Sequence, residues 1–215
     1  MFLIESIGDP TLTVGLSFTA IQAKGVSAEP CDLLRWSQRV IDLADGDPSK
    51  GNFIYGSPLA LAFVTRANAR YLLGRPGWRD DLRHGVSMAR STGDPLCYAT
   101  VVTWAYFAAI PYGVLTPDDG AVREIEDALR MADRSGDDLA LTFTRATLGL
   151  ALVHRLSDAE RVRGQKLLAE VSDTYRRHGH NLCELPLVEV FSERESARRG
   201  DRDAAIPLMI CEPRA

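Results

Sequence analysis

Lysine is nearly missing: 22 of the 25 cationic side chains are arginine, and only Lys24, Lys50 and Lys166 are lysine. The bias reads as the base composition of a GC-rich genome rather than as a binding surface. None of the three lysines stands in a Gly-x-x-x-x-Gly-Lys-Ser/Thr loop, which excludes a Walker-type phosphate cradle. A surplus of positive charge is absent too. Net charge is −4, and the first 107 residues balance ten cations against ten anions. That leaves no electrostatic footprint for direct nucleic-acid binding. Cysteine is sparse, with Cys31, Cys97, Cys183 and Cys211 spaced 66, 86 and 28 residues apart and no CxxC pair. No disulfide framework fits such spacing, and a reducing cytoplasm is the expected compartment. Signal-peptide character is lacking, because the N-terminus has no basic region and soon meets Glu5 and Asp9. The one long uncharged run, 95–117, is interrupted by Pro111, so its helical part is shorter than the roughly twenty residues of a membrane span. Gly-x-Gly-x-x-Gly, Gly-x-Ser-x-Gly and His-Glu-x-x-His motifs are all absent.

Strand signals are few, whereas helical spacing runs throughout. The punctuation carries most information. Gly-Asp followed by Pro or Asp occurs at Gly8-Asp9-Pro10, Gly46-Asp47-Pro48, Gly93-Asp94-Pro95 and Gly136-Asp137-Asp138, at intervals of 38, 47 and 43 residues. Gly suits the left-handed residue that closes a helix, Asp caps the next one, and Pro fits its first turn. The segment 88–96 also superposes on 131–139 at a constant offset of 43, with Met, Ala, Gly, Asp and Leu coinciding. Two helices per period of 40–47 residues is the mark of a helical solenoid.

The expected pairs are 11–23 with 30–44, 57–73 with 78–91, 96–110 with 118–134, and 138–155 with 158–177. A fifth pair starts at 185–199, and its second helix begins at Asp201. The first helix of each pair is apolar on most sides and rich in alanine, as an inner row requires. The second is amphipathic: Val122, Ile125, Leu129 and Ala132 recur at spacings of three and four, with Arg123, Glu124, Glu126 and Asp127 outside. The sequence thus predicts an all-α, tetratricopeptide-like, two-layer solenoid of about four and a half helix pairs. It reads as a single helical-repeat domain over 1–215, expected to be a fragment ending within a repeat, with uncapped ends suited to self-association.

Candidate chemistry is thin. His178-Gly179-His180 with Cys183 is the nearest approach to a zinc set, but it sits where a helix must end, and Arg176 and Arg177 precede it. Capping against the helix dipole is the preferred reading over metal binding. His84 and His154 stand alone on helices and are expected to pack or face solvent. Glu189, Glu193 and Glu195 are expected on a solvated face, with Glu195 and Arg199 an i,i+4 pair. No catalytic residue, metal site or cofactor is assigned. The more promising residues interrupt the apolar inner helices: Arg66, Asn68 and Arg70, then Thr100, Thr103, Trp104 and Tyr106, then Arg145 and Thr147. Thr65-Arg66-Ala67 recurs as Thr144-Arg145-Ala146. Arg66, Asn68, Arg70, Thr103, Trp104, Tyr106 and Arg145 define a candidate concave groove for a peptide or protein partner. The same residues also suit hydrogen bonding between repeats.

Several stretches resemble a known family. Trp36-Ser37-Gln38-Arg39-Val40-Ile41-Asp42-Leu43-Ala44 leads into Gly46-Asp47-Pro48, Lys50-Gly51-Asn52-Phe53 and Gly56-Ser57-Pro58-Leu59-Ala60. Leu73-Gly74-Arg75-Pro76-Gly77-Trp78-Arg79-Asp80-Asp81, Ser135-Gly136-Asp137-Asp138-Leu139-Ala140 and Arg199-Gly200-Asp201-Arg202-Asp203 follow the same pattern. Together, over roughly 8–209, they resemble the C-terminal tetratricopeptide-like region of large actinobacterial, especially mycobacterial, signalling proteins. In those proteins an adenylate/guanylate cyclase or a LuxR-type DNA-binding domain accompanies an ATPase module. The family's nucleotide-binding and cyclase motifs lie outside this region, so no catalytic residue transfers. The resemblance implies a non-catalytic scaffold for protein–protein or intramolecular regulation in signalling or transcription control. The alternatives are part of a cyclase or ATPase regulator whose catalytic domains lie elsewhere, or a small-ligand sensor.

Overall fold

In the computed structural model, residues 8–53, 56–179 and 184–200 are described, and among them all regular structure is helical. The helices are α1 (Pro10–Val26), α2 (Pro30–Ala44), α3 (Pro58–Leu72), α4 (Trp78–Ser91), α5 (Pro95–Tyr106), α6 (Asp119–Ser135), α7 (Asp138–Val153), α8 (Asp158–His178) and α9 (Leu185–Arg198). The expected second helix of the fifth pair, and His180 and Cys183 of the group weighed as zinc ligands, lie outside the described residues.

Three of the four Gly-Asp sites work as the sequence predicts. Asp9 Oδ1 accepts from the Thr11 and Leu12 amides, Asp94 Oδ1 from Leu96 and Cys97, and Asp137 Oδ1 from Ala140, at 2.7–3.2 Å. Each satisfies first-turn donors that the helix leaves unpaired. The fourth departs from the pattern. Asp47 accepts from the amide and the hydroxyl of Ser49, at 2.9 and 2.7 Å. That closes a local turn, and Ser57 caps the following helix instead, through Ala60 N. The Ser49 bonds also hold the Asp47 carboxyl below its usual range.

Helix α5 stops at Tyr106, four residues short of the expected end, and turns occupy the stretch up to Gly113. Pro111 explains the shortening: its ring crowds the carbonyl four residues earlier and biases Ile110 away from helical geometry.

Every helix packs on its successor in the chain. In addition α1 packs on α3, α3 on α5, α5 on α7, and α7 on α9. Among the described residues no even-numbered helix brings its backbone against another even-numbered one. Burial follows this order. In α5 every residue from Cys97 to Thr103 is buried, and in α7 every residue from Ala146 to Val153. The even helices bury a single stripe, such as Ala121, Ile125, Ala128 and Ala132 in α6.

The core forms successive clusters along the chain. Val14, Ile21, Trp36, Val40 and Leu59 join α1, α2 and α3. Val64, Val101, Val102, Ile125 and Leu148 fill the centre, and Leu150, Leu168, Tyr175 and Val188 join α7, α8 and α9. Met88 packs against both the first cluster and the central one. No helix among the described residues is long and apolar enough to cross a membrane.

Candidate functional site

Arg66 leaves α3 toward the even-numbered helices. Its Nε and one terminal nitrogen donate to the two oxygens of Asp81 on α4, at 2.9 and 2.6 Å, and the other donates to Gln38 Oε1 on α2, at 2.8 Å. Arg70 adds a third bond to the same carboxylate, 2.7 Å from Oδ2. The Asp81 side chain is only 7% exposed and that of Arg66 12%. A buried carboxylate receiving this many charge-assisted bonds is a structural tie, because removing any partner leaves charge uncompensated.

The same device recurs one pair further on. The Tyr98 hydroxyl, on α5, accepts from Arg90 Nε and a terminal nitrogen on α4, at 3.0 and 2.9 Å, and donates to the Glu124 carboxylate on α6. Burial and the adjacent Glu124 charge push the Tyr98 phenol well above its usual range. A third instance is Arg155, just past α7. It donates to Pro117 O at 2.8 Å and Asp119 at 2.5 Å beside the start of α6, and pairs with Glu160 on α8 at 3.2 Å. Odd-numbered helices therefore bind successive even-numbered ones through side chains where backbones do not meet. Sequence reasoning missed Tyr98 and Arg155, which hold no common position in the period.

The remaining candidates divide differently. Asn68 Nδ2 donates to Trp104 O at 2.8 Å, joining α3 to α5, and the hydroxyls of Thr103 and Thr147 meet at 3.0 Å between α5 and α7. The Trp104 indole lies against Gly25 of α1; a Cβ there would come within 2.5 Å of the ring. Trp104 thus fills the space between α5 and α1 instead of lining an opening. Tyr106 is half-buried against the central cluster, and burial, with Glu124 and Asp118 nearby, raises its phenol. Arg145 is half-buried and makes no hydrogen bond or ion pair among the described residues. In the repeated Thr-Arg-Ala the threonine and alanine keep their roles and the arginine does not: Thr65 and Thr144 both donate to the carbonyl four residues back, and Ala67 and Ala146 are both buried. The seven residues are not brought to one wall. Arg66 and Arg70 face the even helices, while Asn68, Thr103 and Trp104 lock the odd ones together.

The isolated histidines pack as the sequence predicts. His84 meets Phe63 edge-on, with centroids 4.4 Å apart. His154 sits 4.7 Å from Phe191 and bonds Leu150 O through Nδ1; burial holds its imidazole below the usual range. His178 ends α8, and the left-handed Gly179 closes it. The expected solvated position of Glu195 is corrected. Its side chain is 3% exposed, pairing with Arg198 on α9 and Arg161 on α8, and Arg199 reaches only its backbone carbonyl. Packing of α9 onto α8, through Gln165 and Ser192, draws that face inward. Cys97 is buried, and burial pushes its thiol up to about 11, which makes it a poor nucleophile at neutral pH. Among the described residues no group of three His, Cys, Asp or Glu side chains is arranged to hold a metal ion.

Shallow clefts mark the surface of the described residues. One, of about 500 Å³, lies across α4, α5 and α6 beside Arg90, Tyr98, Arg130, Met131 and Arg134. A second is formed by the 45–53 turn and Thr11, and a third lies along α2 beside Arg35, Gln38, Arg39 and Asp42. None of the seven candidate residues lines any of them. Comparison with protein-family models, with curated proteins and with solved structures finds no match.

Proposed function

We propose that the chain is a tetratricopeptide-like, two-layer helical solenoid that acts as a non-catalytic contact scaffold. It binds a protein partner, or another domain of a longer parent protein, in a bacterial signalling or transcription-control system. The packing order carries this reading. Odd helices touch one another in chain order, while the backbones of even helices meet only those of odd ones and even neighbours are spanned by ion pairs such as Arg163–Glu126, as in an array whose inner row is continuous and whose outer row is interrupted. Such arrays serve mostly as surfaces. The polar side chains of the inner row support the same reading in a modified form, since they join helices to one another and leave partner contacts to the edges and outer helices. The signalling context rests on the sequence resemblance alone.

Assaying the purified chain with ATP and with GTP, for hydrolysis and for cyclisation, tests the non-catalytic part. No product above the blank is expected. Turnover that follows the protein through purification would replace the scaffold with an enzyme.

A further inference from the structure

The turn between α3 and α4 presents a surface that no internal contact uses up. Leu72, the last residue of α3, is 52% exposed. Next to it in the chain, Tyr71 packs edge to face on Trp78, at the start of α4, with ring centroids 5.9 Å apart. The Arg79 guanidinium stands over the Trp78 ring, its carbon 4.0 Å from the centroid. Arg75 projects from the turn, and both arginines are exposed. Left-handed Gly74 and Gly77 flank Pro76 and fix the turn's path.

The charge here is unbalanced. Among the described residues neither Arg75 nor Arg79 has a carboxylate partner. The acids next in sequence are already engaged, Asp80 by Arg83 and Asp81 by Arg66 and Arg70. In the cleft across α4–α6, by contrast, Arg90 and Arg130 are neutralised by Glu124 and Asp127. Tyrosine, tryptophan and arginine on a rigid support are the residue types that dominate binding energy at protein interfaces.

We infer that this edge captures an acidic peptide segment carrying an aromatic or aliphatic anchor. The anchor packs on Leu72 beside the Trp78 ring, and flanking carboxylates pair with Arg75 and Arg79. Two guanidiniums on a chain of net charge −4 are too few for the counterion-driven binding of a nucleic acid, and the apolar half of the surface calls for an apolar partner group. The inference rests on the contact-scaffold reading and specifies what that scaffold holds.

The test is selection from a random displayed peptide library on the immobilised full chain, repeated with the double variant Arg75→Glu, Arg79→Glu and with Arg134→Glu as a control. All three positions are exposed and, among the described residues, free of ion pairs, so all three proteins should fold, the double variant losing only the stacking of Arg79 on Trp78. The wild type and Arg134→Glu should enrich sequences with Asp or Glu beside Phe, Trp or Leu. The double variant should bind the enriched peptide about tenfold or more weakly, and raised salt should weaken wild-type binding. Enrichment that survives the double reversal overturns this site while leaving a contact role elsewhere. No enrichment on the wild type overturns both readings. A single-stranded oligonucleotide that binds more tightly than the selected peptide and is lost with the double reversal overturns the peptide in favour of a nucleic acid. A dimer that dissociates in the double variant during sedimentation assigns the edge to a second copy.

Discussion

Arg66 shows what a residue identity means once its neighbours are known. Its side chain holds Asp81 from one side while Arg70 holds it from another, and both members of the main pair are nearly out of solvent. Arg66→Ala is therefore expected to lower folding stability by about 2–4 kcal/mol, because a buried carboxylate loses its bidentate partner and keeps only Arg70. Urea-unfolding midpoints measure this. A change below about 0.5 kcal/mol, typical of a surface substitution, would show that the pair contributes little. The sequence made Arg66 conspicuous as a charge in an apolar run, yet its partner lies fifteen residues on, across a helix turn whose register no pattern reveals. The repeated Thr-Arg-Ala was equally legible and equally incomplete. The acid fifteen residues after Arg145, Glu160, pairs with Arg155 instead, so like residues acquire unlike roles.

At the scale of the element, helix positions were largely readable because capping is local. Asp94 and Asp137 bond amides two or three residues ahead, within reach of a short motif. Asp47 escaped the rule because Ser49 competes for its carboxylate, and the chain then passes through Gly51 at φ 75° instead of entering a helix. How closely two helices approach was not readable. The α7–α8 crossing depends on Gly149 and Gly164. A Cβ on Gly164 would fall 2.8 Å from Gly149 O and 2.9 Å from Val153 N, both backbone atoms. Gly164→Ala should therefore destabilise by about 1–3 kcal/mol, outweighing the roughly 1 kcal/mol that alanine gains from helix propensity. Gly149→Ala should cost less, since its nearest neighbour is the flexible end of Leu168. Thermal midpoints of the two variants decide the order, and equal or raised values would mean the crossing tolerates a wider spacing.

For the whole molecule, the order of helix contacts predicts how stability is distributed. By backbone contact α5 packs on α3, α4, α6 and α7, and α7 on α5, α6, α8 and α9, whereas among the described helices α1 meets only α2 and α3 and, beyond them, the Trp104 side chain of α5. The sequence pointed to the odd helices as the buried row, since most of them are apolar on most sides and rich in alanine. How far the space beside them is filled was not legible, because one long side chain decides it: Trp104 reaches Gly25 across the row. Where contacts run only between near neighbours in the chain, unfolding free energy is set locally, and a helix with fewer neighbours opens more cheaply. Native-state hydrogen exchange in low denaturant should then find the slowest amides in α5 and α7. Helix α1 should lose protection at a lower denaturant concentration than either, with its opening free energy below the global value. Trp104→Ala should enlarge that gap, because it removes the side chain tying α1 directly to α5 and leaves α1 dependent on α2 and α3. Identical opening free energies in α1, α5 and α7, unchanged by Trp104→Ala, would mean that the helices unfold as one cooperative unit and that stability is not partitioned along the chain.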